Sequence, residues 1–147
     1  MDGRPLDGFL DTKRLQDGES LQASFMGAMA KTSVLVPIVS TSALRRMASL
    51  TADSPCDNVL LEWSFALELH TQRGVRVFPL FVGDISPRDG TVGNFFAADP
   101  LSGVADVAVH SVSDELEAQM RLLGMAVGDG ARRRTARDVV DALTKML

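Results

Sequence analysis

Cysteine is almost absent from the chain: Cys56 stands alone, which excludes a disulfide framework and a cysteine-built zinc site. No apolar run resembling a signal peptide occurs within Met1 to Leu10. Together these point to a reducing, cytoplasmic location. Long hydrophobic runs are missing too. The longest, such as Val34 to Val39, stop far short of the roughly 20 residues of a membrane-spanning helix, so no membrane partner is expected. Basic charge is not in excess either: 15 Lys plus Arg against 19 Asp plus Glu leave a net charge of −4. That balance gives no positive field to draw nucleic acid or anionic lipid, and nucleic acid is not expected as a partner. The sequence contains no internal repeat and no low-complexity tract.

What is present suffices for one domain with a hydrophobic core, because 46% of the 147 residues are apolar and 23% charged. Two runs, Ser33 to Ser40 and Val75 to Val82, with a weaker one at Val104 to Val109, have the β-branched content and length of strands buried on both faces. Gly8-Phe9-Leu10-Asp11 reads as the end of another. Pro37 and Pro79 count against the two stronger runs, since proline removes a ladder donor and is usually confined to edges or bulges. Between the strands lie helical patterns. Leu21, Phe25, Ala28 and Met29 share one helix face, and Asp57 to His70 is almost continuously helix-compatible. Alternating strands and helices predict a parallel sheet with helices on both faces.

In the last third, Ser111 to Asp114 reads as a helix start and Gly124 as its stop. After Gly128-Asp129-Gly130, a C-terminal helix from about Ala131 places Ala136, Val139, Val140, Leu143 and Leu147 on one stripe. This divides the chain into residues 1–127 and a terminal helix over 128–147. Arg132, Arg133 and Arg134 then fall in the helix's first turn, where they oppose its dipole. A solvated face is the first reading of these arginines, and a phosphate or acidic partner the alternative. Gly83 to Ser102 reads as a surface loop.

Ligands of open parallel α/β sheets bind outside the carboxyl ends of the strands. That rule selects Asp11 to Ser20, Ser40 to Asp57, and Gly83-Asp84. The most informative side chain is Glu62. At about 100° per residue it falls among Phe65, Ala66 and Leu69, with Ser64 and Glu68 on the other side, so a carboxylate stands on an apolar face. Near the first turn it complements the helix dipole, and desolvation there would suit it to hold or exchange a proton. Spacing leaves both roles open. His70 and His110 are isolated and read as structural, and Cys56 as an inert thiol.

Phe9-Leu10-Asp11 with Leu15-Gln16-Asp17-Gly18-Glu19-Ser20, then Phe25 and Ala28, resembles the second strand, BB loop and following helix of Toll/interleukin-1 receptor (TIR) domains. Ser33 to Ser40 with Thr41-Ser42-Ala43-Leu44 looks like their third strand, Ser54 to Trp63 with Ala66 to Leu69 like their αC region, and Val77 to Val82 like their fourth strand. The resemblance covers about Leu6 to Val82. It implies a flavodoxin-like three-layer α/β fold with a parallel sheet, lacking the family's first strand and helix. Asn58 stands where many members carry a tryptophan, and Trp63 follows Glu62 instead.

For function, the resemblance implies an intracellular signalling domain that assembles with other TIR domains as a homo-oligomer. Its interaction loop would be Asp17, Gly18 and Glu19. It also implies NAD+ as a substrate, cleaved to nicotinamide and ADP-ribose products with Glu62 as the catalytic residue, and Asp11, Ser40 and Trp63 as substrate-site candidates. No resident cofactor and no metal are expected. A carboxylate that stabilises an oxocarbenium-like ribosyl centre performs the task glycosidases solve. The alternative is a non-catalytic scaffold or adaptor. A phospho-acceptor receiver domain is disfavoured, because Ser40-Thr41 stands where such domains need an aspartate.

Overall fold

A computed structural model of the chain describes residues 21–97, 99 and 101–147. Gly8 to Asp11 and the loop carrying Asp17, Gly18 and Glu19 lie outside them. The described part begins with helix α1 (Leu21–Met29), which buries Met26 and Met29.

Each valine-rich run is a strand interrupted at its proline. The first gives β1 (Val34–Leu35) and β2 (Ile38–Ser40), the second β3 (Arg76–Val77) and β4 (Leu80–Val82). β1 pairs in parallel with β3, and β2 with β4. One offset relates every pair, from Val34 with Arg76 to Ser40 with Val82, so Pro37 faces Pro79 across the gap. The interruption has a simple cause. The amides of Arg76, Phe78 and Leu80 donate to the carbonyls of Ser33, Leu35 and Pro37 at 3.2, 2.9 and 2.8 Å. Pro37 therefore occupies the position whose N–H would answer the Phe78 carbonyl, and it has none. One rung is lost without a change of register. The described residues are thus mixed helix and strand with small parallel pairings, compatible with an α/β fold.

The expected strand at Val104 to Val109 does not form. Val104 and Val109 are buried, at 1% and 2% exposure, but in turn and irregular backbone. The segment bonds to other parts of the chain: the Ala105 amide donates to Met47, while the Ala136 and Arg137 amides donate to Val107 and Ala105. Apolar content signalled burial there, and the backbone groups found partners outside a sheet.

Helix α2 (Thr41–Met47) follows β2 directly, and α3 (Asn58–Arg73) then crosses back to β3. α3 organises the core. Leu60, Leu61 and every residue from Trp63 to Leu69 are buried, and α1, β3 and two C-terminal helices pack around it. A helix apolar on all sides belongs inside a protein, and this one is enclosed. The Asp57 carboxylate caps it, accepting from the Leu60 amide at 2.9 Å, and Gly74 ends it in the left-handed region at φ 68°. A Cβ is disfavoured in that conformation, so Gly74→Ala is expected to cost about 1 kcal/mol, read as a lower denaturant midpoint at unchanged slope.

Helix α4 (His110–Leu122) ends before Gly124, as expected, but starts at His110 without a side-chain cap. The single C-terminal helix is in fact two. Asp129–Arg133 forms the short α5, and α6 (Ala136–Thr144) has its own capping box between Thr135 and Asp138. Ala136, Val139, Val140 and Leu143 are buried as the stripe predicts and join the common core, whereas Leu147 is 75% exposed. No helix among the described residues is long and apolar enough to cross a membrane.

Candidate functional site

Glu62 lies one turn into α3, half-buried. With Val59, Trp63 and Ala66 of the same helix it walls a cavity of about 320 Å³, closed by Phe25 and Met29 of α1 and by Leu35 to Ile38 of the strand. The helical spacing explains the convergence: Val59, Glu62 and Ala66 are three and four residues apart and share a face. Phe65, Ala66 and Leu69, the residues expected beside Glu62, are buried. The result is an apolar cavity with one carboxylate in its wall, a setting in which a carboxylate acts strongly on developing positive charge.

Of the three substrate-site candidates, Trp63 lines this cavity and is itself only 3% exposed. Ser40 does not line it. Its hydroxyl caps α2, accepting from the Ala43 amide at 3.2 Å, and lies 3.0 Å from the Ser42 hydroxyl. Asp11 is outside the described residues.

A second, more polar hollow lies beyond the carboxyl ends of the strands, where Arg45 of α2 pairs with Asp84. Ser86, Thr91 and Gly93 complete its rim. The loop is held close by Gly83, whose hypothetical Cβ would stand 1.8 Å from the Gly93 carbonyl oxygen. Ile85 and Val92 make an antiparallel bridge within what the sequence marks only as a loop. At the other end of this region the Arg46 guanidinium holds Asp57 at 2.7 Å, and that hydrogen bond raises the arginine's pKa.

The structure places two charged residues where the spacing alone did not. Glu68, on the side of α3 away from Glu62, is nevertheless buried: it is 6% exposed and pairs with Arg134 at 3.0 Å, while Gln72 donates to its other oxygen at 3.0 Å. Arg134 accordingly is not on a solvated face of the last helix. It ends α5, and its Nη1 is buried without a hydrogen-bond partner among the described residues. Gln72 also takes both backbone groups of Ala126, donating to the carbonyl at 2.8 Å and accepting from the amide at 3.0 Å. The available signal was the dense apolar run of α3 from Leu60 to Leu69, which encloses Ser64 and Glu68 between buried neighbours.

His70 bonds the Val75 carbonyl through Nδ1 at 2.9 Å, and His110 sits 3.5 Å from Asp53 at the surface. No group of His, Cys, Asp and Glu side chains among the described residues could hold a metal ion. Comparison with models of known protein families, with curated protein sequences and with solved structures finds no match.

Proposed function

We propose that the chain is a TIR-like cytoplasmic signalling domain of flavodoxin-like three-layer type, which assembles with other TIR domains and cleaves NAD+ to nicotinamide and ADP-ribose products through Glu62. The observation that carries this reading is the placement of Glu62 and Trp63 together in the wall of an apolar cavity. A carboxylate there supports charge on a ribosyl centre while an aromatic wall accommodates a flat leaving group. Assembly draws support from the sheet. Val34, Val36, Ile38, Phe78 and Leu80 all point to one face and keep 39% to 58% of their surface exposed, an apolar patch of the kind that marks contact surfaces.

The test is nicotinamide release from NAD+ at high protein concentration, where a site completed by neighbouring copies would be formed. Glu62→Gln keeps the shape and removes the charge, so turnover is expected to fall by on the order of 10² or more with the thermal midpoint little changed. Asp114→Asn, on the exposed surface of α4, is the control. Wild-type protein that is folded and assembled yet leaves NAD+ intact would instead make the chain a non-catalytic scaffold.

A further inference from the structure

The polar hollow at Arg45 and Asp84 is separate from the Glu62 cavity, and its construction points to a ligand of its own. Ser40 pairs with Val82, so β2 and β4 end side by side and in the same direction. The Thr41 hydroxyl closes the step between them, donating to the Val82 carbonyl at 3.3 Å. α2 leaves from one strand end and the loop from Gly83 to Gly93 from the other, which is where open α/β sheets take their ligands.

The loop wall is fixed in advance. Besides the close approach of Gly83 to Gly93, the Gly93 amide donates to the Asp84 carbonyl at 2.7 Å and the Ser86 amide to the Thr91 carbonyl at 2.8 Å. Asp84, Ser86 and Thr91 are thus set in place before anything binds, which lowers the ordering cost of binding. Opposite them Arg45 reaches across from α2 and pairs with Asp84 through Nη2 and Oδ2. The two side chains are 70% and 46% exposed, and an ion pair so open to water contributes little to stability. What it does provide is a cation and an anion side by side in the wall of a hollow of about 530 Å³.

Arg45 also borders a second hollow, of about 190 Å³, which Leu44, Ala48, Phe95 and Val104 make apolar. A cavity of ~150 Å³ with such a lining holds a benzene ring, so this one has room for an apolar side chain. Asp99 stands at its rim, where its carboxylate accepts from the Leu101 amide of its own loop at 3.0 Å. A charged hollow and an apolar one therefore share a residue.

We propose that the two hollows together bind a free α-amino acid with an apolar side chain. Its carboxylate pairs with the Arg45 guanidinium and its ammonium with Asp84, so one exposed ion pair is exchanged for charge-assisted contacts at both ends of the ligand. Ser86 and Thr91 line the same hollow. Thr91 gives its own hydroxyl proton to Asp89 at 2.8 Å, which leaves its oxygen to accept from the ammonium. The ligand's side chain passes Arg45 into the apolar hollow. A simple anion such as phosphate would meet Asp84 and a simple cation would meet Arg45, whereas a zwitterion finds an opposite charge for each of its own.

NMR titration of the full chain with L-leucine, L-methionine and L-phenylalanine tests this. At least one is expected to shift the Asp84, Ser86, Thr91 and Gly93 amides together with the Leu44 and Val104 methyl groups, and to saturate. Acetylating the amine of that amino acid, amidating its carboxylate or replacing it by glycine should each weaken binding by on the order of 10-fold or more, because each removes one of the three recognised groups. Arg45→Met and Asp84→Asn should weaken it as much with the thermal midpoint little changed, since both side chains are exposed. The proposal is overturned if none of the three amino acids binds, if removing any one of the three groups leaves the affinity unchanged, or if the shifts fall on Phe25, Val59 and Trp63 around Glu62 instead. Should either variant unfold, the ligand series on the wild type decides alone.

Discussion

Arg134→Met is expected to destabilise the chain by about 3 kcal/mol, because it strands the Glu68 carboxylate in the core with Gln72 as its remaining donor among the described residues. The estimate sits at the low end for a broken buried pair, since the arginine side chain is 24% exposed and its partner 8%. Glu68→Met leaves the cation instead, which can swing toward solvent, and should cost less. The double variant is the informative one. With both charges gone, the site holds two flexible apolar side chains, and replacing a buried pair in this way is often neutral. Urea denaturation of the four proteins is expected to place the double variant closer to wild type than Arg134→Met. Strictly additive losses would show that the two side chains do not depend on each other.

Phe65→Ala is expected to cost about 3–5 kcal/mol, the loss of an aromatic side chain's transfer energy plus the cavity left behind. Phe65 is fully buried on α3, the element around which α1, β3, α4 and α6 pack. Against a typical total of about 5–15 kcal/mol, such a loss brings the domain near the threshold of folding. Thermal denaturation followed by far-ultraviolet circular dichroism reads it directly. A shift no larger than that of an exposed substitution such as Leu122→Ala would mean that α3 is not the centre of the core.

Much of the architecture was legible because it is written in periodicity. α1, α3 and both valine-rich runs lie where the apolar pattern places them, and the prolines that count against the runs interrupt each strand without abolishing it. Val104 to Val109 misled because apolar content reports burial, and only the partners of the backbone groups decide between a strand and an irregular plug. Glu62 was singled out by spacing, and Trp63 through the resemblance to TIR domains. Their cavity was not, since its other wall comes from Phe25 and Met29 in a helix distant in sequence. Glu68 and Arg134 escaped for the same reason: their encounter joins α3 to the end of α5 across 66 positions that carry no periodic signal of it. The separate start of α6 could have been read from Thr135 and Asp138, a threonine three residues ahead of a carboxylate that closes a capping box.

The double hydrogen bond between Gln72 and Ala126 makes a side-chain amide behave as a short length of backbone, pairing with a peptide unit as a neighbouring strand would. It fastens the last turns of α3 to the stretch that leads into α5 and α6, and the Glu68–Arg134 pair makes a second attachment one turn away. Peeling off the C-terminal helices therefore requires giving up both attachments together with the apolar contacts of α6. Opening of the C-terminal helices is therefore coupled to the last turns of α3.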